Sequence, residues 1–123
     1  MEMRCLIVDD NRSFLEAARV LLEREGLTVV GITTTAAEAL RQTETLRPDV
    51  VLVDISLGQE SGFDLARRLV EDCQTGEATV ILTSTHAEEE FVELIAACPA
   101  ASFLPKAELS AGAIRRIVEG HAR

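Results

Sequence analysis

The sequence predicts an α/β fold, a doubly wound, five-stranded parallel sheet covered by helices on both faces. Three observations lead there. Short β-branched apolar runs alternate with segments of helical spacing along the whole chain. There are no repeats or linker-like tracts, and one run, "VVLVDI", is apolar almost throughout, as a strand buried on both faces must be. At 123 residues the chain holds one core, so residues 1–123 are read as a single domain.

The first strand is Cys5 to Val8 and runs into Asp9 and Asp10. A helix follows in which Leu15, Ala18 and Leu22 share one face, with Phe14 and Leu21 beside them and Glu16, Arg19 and Glu23 pointing away. The second strand is Leu27 to Ile32, and the second helix, Ala36 to Leu46, stops before Pro48. The third strand is Val50 to Ile55, and the third helix, Phe63 to Cys73, stops near Gly76. The fourth strand is Thr79 to Leu82, followed by a helix over Ala87 to Cys98 that Pro99 ends. Ala101 to Leu104 is the fifth strand. The fifth helix runs from about Ser110 to Glu119, with Ile114, Ile117 and Val118 on its buried face and Gly120 as its C-terminal cap.

The net charge of −9 repels a phosphate backbone, which makes this domain a poor candidate for binding nucleic acid directly, so none is expected among its own partners. Three unpaired-looking cysteines (Cys5, Cys73, Cys98) and two distant histidines (His86, His121) argue against a disulfide framework or a zinc site. No stretch approaches the roughly 18 apolar residues of a spanning helix, and the N-terminus lacks a signal-like block, so the expected location is cytoplasmic, with no membrane partner.

For such a sheet the common strand order is 2-1-3-4-5, which sets strands 1 and 3 side by side at the switch point where these folds bind ligands. Asp9 and Asp10 end strand 1 and Asp54 ends strand 3, so three carboxylates meet at one rim. Thr83 and Ser84 end strand 4, and Lys106 follows strand 5. Carboxylates that close raise one another's pKa unless a cation joins them. Oxygen donors without nearby His or Cys favour Mg²⁺, held by Asp9 or Asp10 together with Asp54. The remaining Asp54 oxygen is then a candidate nucleophile toward phosphorus, with Lys106 and the Thr83 hydroxyl available to the phosphoryl oxygens.

In order and spacing, "LIVDD", "VVLVDISL", "ESGFDLARRL", "VILTST" and "SFLPK" resemble the response-regulator receiver domains of bacterial two-component signalling, over essentially the whole chain. The resemblance implies the flavodoxin-like receiver fold and a phosphoacceptor domain, not an enzyme acting on other molecules. It implies Asp54 as phosphoacceptor and Mg²⁺ bound by Asp9, Asp10, Asp54 and the backbone carbonyl of Ser56. It also implies Thr83 and Lys106 on the phosphoryl group and Phe103 as a switch aromatic. The implied partners are a sensor histidine kinase and a second copy bound through the face of helix 4, strand 5 and helix 5. "LPKAEL" is similar to the LuxR/NarL-type receivers that precede helix-turn-helix outputs, which points to transcription regulation through an attached domain.

Two departures from the family pattern matter. Ala107 follows Lys106 where many receivers have a cis proline, so the Lys106–Ala107 peptide is expected to be trans. Gly58 stands where proline is common, so "LGQESG" is expected to be a looser loop with Gly58 and Gly62 free to take positive φ. Ser56 and Thr85, at the positions that tune phosphoryl lifetime in the family, carry neither acid nor amide, which implies a long-lived phosphorylated state. The alternative is a receiver-like interaction module working without phosphorylation. A haloacid-dehalogenase-type phosphatase needs an acid two residues after its nucleophile, where counting from Asp9 gives Asn11. Neither a flavodoxin phosphate loop nor a nucleotide-binding P-loop is present.

Overall fold

The computed structural model describes residues 3–72, 78–85, 93 and 102–121. Strands β1 (Arg4–Val8), β2 (Thr28–Thr33), β3 (Val50–Asp54), β4 (Thr79–Ser84) and β5 (Ser102–Pro105) form one sheet in the order β2-β1-β3-β4-β5. All neighbours are parallel. The order is the one predicted, and strand ends differ from expectation by one or two residues. Helices α1 (Arg12–Arg24), α2 (Ala36–Leu46) and α3 (Gly62–Asp72) and a C-terminal helix (Ala111–His121) cover the sheet. The predicted helix from Ala87 to Cys98 lies outside the described residues, apart from Glu93.

Strand alternation divides the core in two. Leu6, Val8, Val51, Val53, Val80 and Leu82 point to one face with Ala39 of α2 and Leu65, Ala66 and Leu69 of α3. Cys5, Ile7, Val50, Leu52 and Ile81 point to the other, with Leu15, Ala18 and Leu22 of α1 and Ile114 of the C-terminal helix. Every residue of β3 is buried because both of its faces are covered. Cys5 is among the buried residues and its thiol is pushed up to about 12 by desolvation, so it is an inert core group.

The connections hold the strand ends in place. Asn11, not Asp10, caps α1, its side-chain oxygen accepting from the Phe14 N–H, which leaves both aspartates free for the rim. Thr35 caps α2 in the same way, and Glu60 Oε1 accepts from the Ala36 N–H at 3.0 Å. At the other end of α2, Arg4 Nη1 donates to the Leu46 and Arg47 carbonyls at 2.6 and 3.0 Å. The Lys106–Ala107 peptide is trans, as expected, and opens a short 3₁₀ turn over Lys106–Glu108.

Three expectations need correction. The segment after β3 is not loose: Ser56–Leu57 and Glu60–Ser61 pair as an antiparallel hairpin around Gly58, whose φ of 63° is the left-handed value that glycine accepts without strain. Gly62 has no positive φ. Its glycine is required by space, since a Cβ there would lie 1.9 Å from the Asp54 carbonyl oxygen and 2.6 Å from Ile55 Cα. Nor does Gly120 cap its helix, which continues through it to His121.

Two substitutions follow from this backbone. Gly62→Ala forces apart the start of α3 and the end of β3, and is expected to cost about 3 kcal/mol, the upper part of the overpacking range, in urea unfolding. Arg47 is the one described non-glycine residue with positive φ, at 49° as the C-cap of α2. Arg47→Gly keeps the backbone carbonyl that Arg4 uses and relieves the left-handed strain, so the same assay is expected to show a gain of up to about 1 kcal/mol.

Candidate functional site

The site grows out of one row of the sheet. Ile7, Leu52 and Ile81 are register neighbours that point into the same half of the core. Two residues further along each strand, the same face carries Asp9, Asp54 and Thr83, with Asp54 and Thr83 paired across β3 and β4. Thr83 pairs in turn with Leu104, and two residues beyond Leu104 comes Lys106. Four strands that are apolar inside thus end in polar residues at one edge, still close enough to the core to be shielded from water.

Burial makes the charges interact strongly. Asp9 is wholly buried, Asp54 is 7% exposed and Thr83 is buried, whereas Asp10 lies exposed on the rim. Carboxylate oxygens of Asp9, Asp10 and Asp54 lie within 4.8 Å of one another. Lys106, whose side chain is 11% exposed, reaches in so that its Nζ sits 2.6 Å from Asp9 Oδ2 and 3.5 Å from Asp54 Oδ2. It is the only lysine in the chain, the other eleven basic residues all being arginine. A compact ammonium on a flexible stem suits this narrow position better than a planar guanidinium would.

Backbone donors fix the two buried carboxylates. The Asn11 N–H donates to Asp9 Oδ1 at 2.9 Å and the Ser56 N–H to Asp54 Oδ1 at 3.3 Å. Asp9 Oδ2 is buried without a hydrogen bond among the described residues, its near neighbour being the Lys106 ammonium at 2.6 Å. Desolvation, and then the Asp9 charge, push the Asp54 carboxyl up to about 6, against the opposing pull of Lys106 and the Ser56 N–H. An all-oxygen set with one buried oxygen lacking a hydrogen bond and one exposed carboxylate open to solvent fits a hard divalent cation that keeps some of its waters.

The structure therefore brings together Asp9, Asp10, Asp54 and Lys106, with Thr83 beside Asp54 in register. Ser56 contributes its N–H to Asp54 from the first strand of the hairpin. Phe103 lies elsewhere: it is buried on the opposite face of the sheet, register neighbour of Leu82 and packed in the α2–α3 half of the core. Phe14 was read from sequence only as part of a helix face, yet its ring centroid lies 4.2 Å from Lys106 Nζ. The signal for it was present in its place: a first-turn residue of the helix that starts at the acid pair overhangs the sheet edge.

Residues 5–119 match the family described as the response regulator receiver domain. The DNA-binding response regulator MtrA of Mycobacterium tuberculosis is 40% identical over 86 residues, covering 68% of this chain and 36% of that protein. The chain spans between 24% and 36% of the length of the first curated relatives it matches. Among solved structures, a LuxR-family two-component response regulator from Aurantimonas sp. SI85-9A1 aligns with TM-score 0.85 at 28% identity, covering 98% of this chain and 87% of that one. The receiver domain of the putative response regulator NarL from Mycobacterium tuberculosis aligns with TM-score 0.82 at 27% identity, over 97% and 98%. No helix among the described residues is long and apolar enough to cross a membrane.

The raised Asp54 carboxyl sets a pH dependence. An acid with a higher pKa in the folded state than in the unfolded chain binds its proton more tightly when folded, so its ionisation lowers stability as pH rises from about 4, the ordinary carboxylate value, through about 6. In metal-free buffer wild type is expected to lose stability relative to Asp54→Asn across that window and to level off above it. Mg²⁺ added at neutral pH should stabilise wild type more than the variant in thermal unfolding.

Proposed function

The chain belongs to the response regulator receiver family, and on that premise we propose that Asp54 accepts a phosphoryl group from a phosphohistidine on a sensor kinase and that the resulting acyl phosphate changes how the domain binds its partners. The observation that carries this reading is the cluster itself: a buried carboxylate at the end of the central strand, flanked by two further acids and by the chain's single lysine. A carboxylate that served only to stabilise the fold would be better replaced by an amide, since its ionised form is disfavoured where it stands.

In the transfer, an Asp54 carboxylate oxygen forms the O–P bond while the N–P bond to the kinase imidazole breaks and the imidazole leaves with the bonding pair. The Ser56 N–H holds the carboxylate in one orientation throughout. Lys106 already stands 3.5 Å from Asp54 Oδ2, within reach of an equatorial phosphoryl oxygen, and the Thr83 hydroxyl is the neighbouring donor for another. Asp9, Asp10 and Asp54, with the Ser56 carbonyl, are the residues that would hold Mg²⁺, which when bound offsets the negative charge gathered between acids and phosphate.

The change at Asp54 is read out through Thr83 and Phe103 at a face that includes β5 and the C-terminal helix, where a second copy or an output domain binds; the fourth helix expected on that face lies outside the described residues. A coupling of about 1–3 kcal/mol, the usual size, alters partner affinity by roughly 5- to 150-fold. Ser56 and Thr85, both exposed and neither acid nor amide, leave an attacking water without a strong base, in keeping with a long-lived phosphorylated state. Expected partners are a sensor histidine kinase, met in the cytoplasm, and, through an attached domain of LuxR type, a transcriptional output.

Intact mass after incubation with a small-molecule phosphodonor tests the reading directly. Wild type with Mg²⁺ should gain one phosphoryl group, and neither Asp54→Asn nor wild type without divalent metal should do so. No adduct on wild type would instead favour an interaction module that works without phosphorylation.

A further inference from the structure

We propose that Phe14 is a positioning residue for Lys106, its ring holding the ammonium at the acid pocket through a contact that a bound cation does not compete for. Phe14 is the third helical residue of α1, and its backbone is pinned: its N–H donates to Asn11 Oδ1 at 3.1 Å, and the next residue, Leu15, is fully buried under the sheet. The half-buried ring is thereby fixed over the sheet edge, with its centroid 4.2 Å from Lys106 Nζ. That distance is well inside the roughly 6 Å over which a ring face attracts a cation.

Among the described residues, the other groups on the ammonium are Asp9 Oδ2 and Asp54 Oδ2. Both belong to the oxygen set that fits a divalent ion, and an ion bound there takes up their charge and repels the ammonium as well. Two of the three contacts that Lys106 makes among the described residues therefore weaken when the pocket is loaded, at the stage when the lysine has to stay. The ring is neutral and has no lone pair to offer a hard cation, so its attraction for the ammonium persists. A flexible four-carbon stem needs such a fixed wall, because its rotamers otherwise include many that leave the pocket.

A leucine at position 14 fills much of the same space without the ring's negative face, and a tyrosine keeps that face. The chain's single lysine makes the contact directly readable, since selective ¹³C-lysine labelling gives one ε-methylene signal. In wild type that signal is expected upfield of the ordinary lysine position, shielded by the ring, and to remain so with saturating Mg²⁺. Phe14→Leu should return it to the ordinary position and Phe14→Tyr should keep it upfield. Its effect on rate rests on the phosphoacceptor function proposed above. With a small-molecule phosphodonor at saturating Mg²⁺, Phe14→Leu is expected to be phosphorylated about five- to tenfold more slowly and Phe14→Tyr at close to the wild-type rate.

An unshifted wild-type signal, or one that loses its shielding when Mg²⁺ binds, overturns the assignment. So does a Phe14→Leu variant that is phosphorylated as fast as wild type. Thermal unfolding identifies a leucine variant that fails to fold, in which case Phe14→Met takes its place with the same expected outcomes. Wild type that takes no phosphoryl group would overturn the function above, and the lysine signal would still decide the role of Phe14.

Discussion

Everything at the functional edge depends on confining three carboxylates with a single ammonium. Two like charges about 4 Å apart near a protein surface repel by roughly 4 kcal/mol, so Asp9, Asp10 and Asp54 cannot be held together by flexible loops. They are held by strand ends. Asp9 and Asp54 continue the alternation of Ile7 and Leu52, whose burial fixes the strands, and leaving the pocket would mean breaking that register. The apolar core thus stabilises the site indirectly, by making the strained arrangement the only one compatible with packing both faces of the sheet.

The same constraint explains the backbone around Asp54. Gly62 brings the start of α3 against the Asp54 carbonyl and donates its N–H to the Ile55 carbonyl at 2.9 Å, which closes the six-residue hairpin segment over the strand end. Gly58 at the turn of that segment lets it fold back tightly, so that the Ser56 N–H faces the carboxylate. Glu60, from the other arm, reaches across to the first turn of α2. A loop opposite three acids would be expected to swing outward. Here two glycines with different jobs, one conformational and one steric, tie it down.

Much of this was legible in the sequence because it depends on period and punctuation. Continuous apolar runs ending in acid or hydroxyl residues located the sheet, its order and the edge where Asp9, Asp10, Asp54, Thr83 and Lys106 converge. What was not legible depends on distances between elements. Whether a glycine serves torsion or space is invisible in "ESGF", and Gly62 was misread for that reason. The capping of α2 by Arg4 links residues 42 apart, and nothing local announces it. Phe14 carries the spacing of a core residue, and only the placement of Lys106 reveals that its ring faces a cation. Gly120 shows the limit of end signals, because a capping residue in sequence caps only where the backbone actually turns.

Thr83 and Phe103, on adjacent strands, are separated by the plane of the sheet. In a parallel sheet, neighbouring residues of one strand point to opposite faces, so Leu82 and Phe103 pack with α2 and α3 while Thr83 and Leu104 turn toward α1 and the C-terminal helix. The acid pocket and Phe103 therefore lie on opposite faces of one sheet. Thr83 and Leu104 are register partners across β4 and β5, and among the described residues β5 is an edge strand with one paired neighbour where β3 has two. Phe103 occupies that strand and is buried against a single half of the core. The acids that end β1 and β3 thus lie at the middle of the sheet, whereas Phe103 lies at its edge on the opposite face.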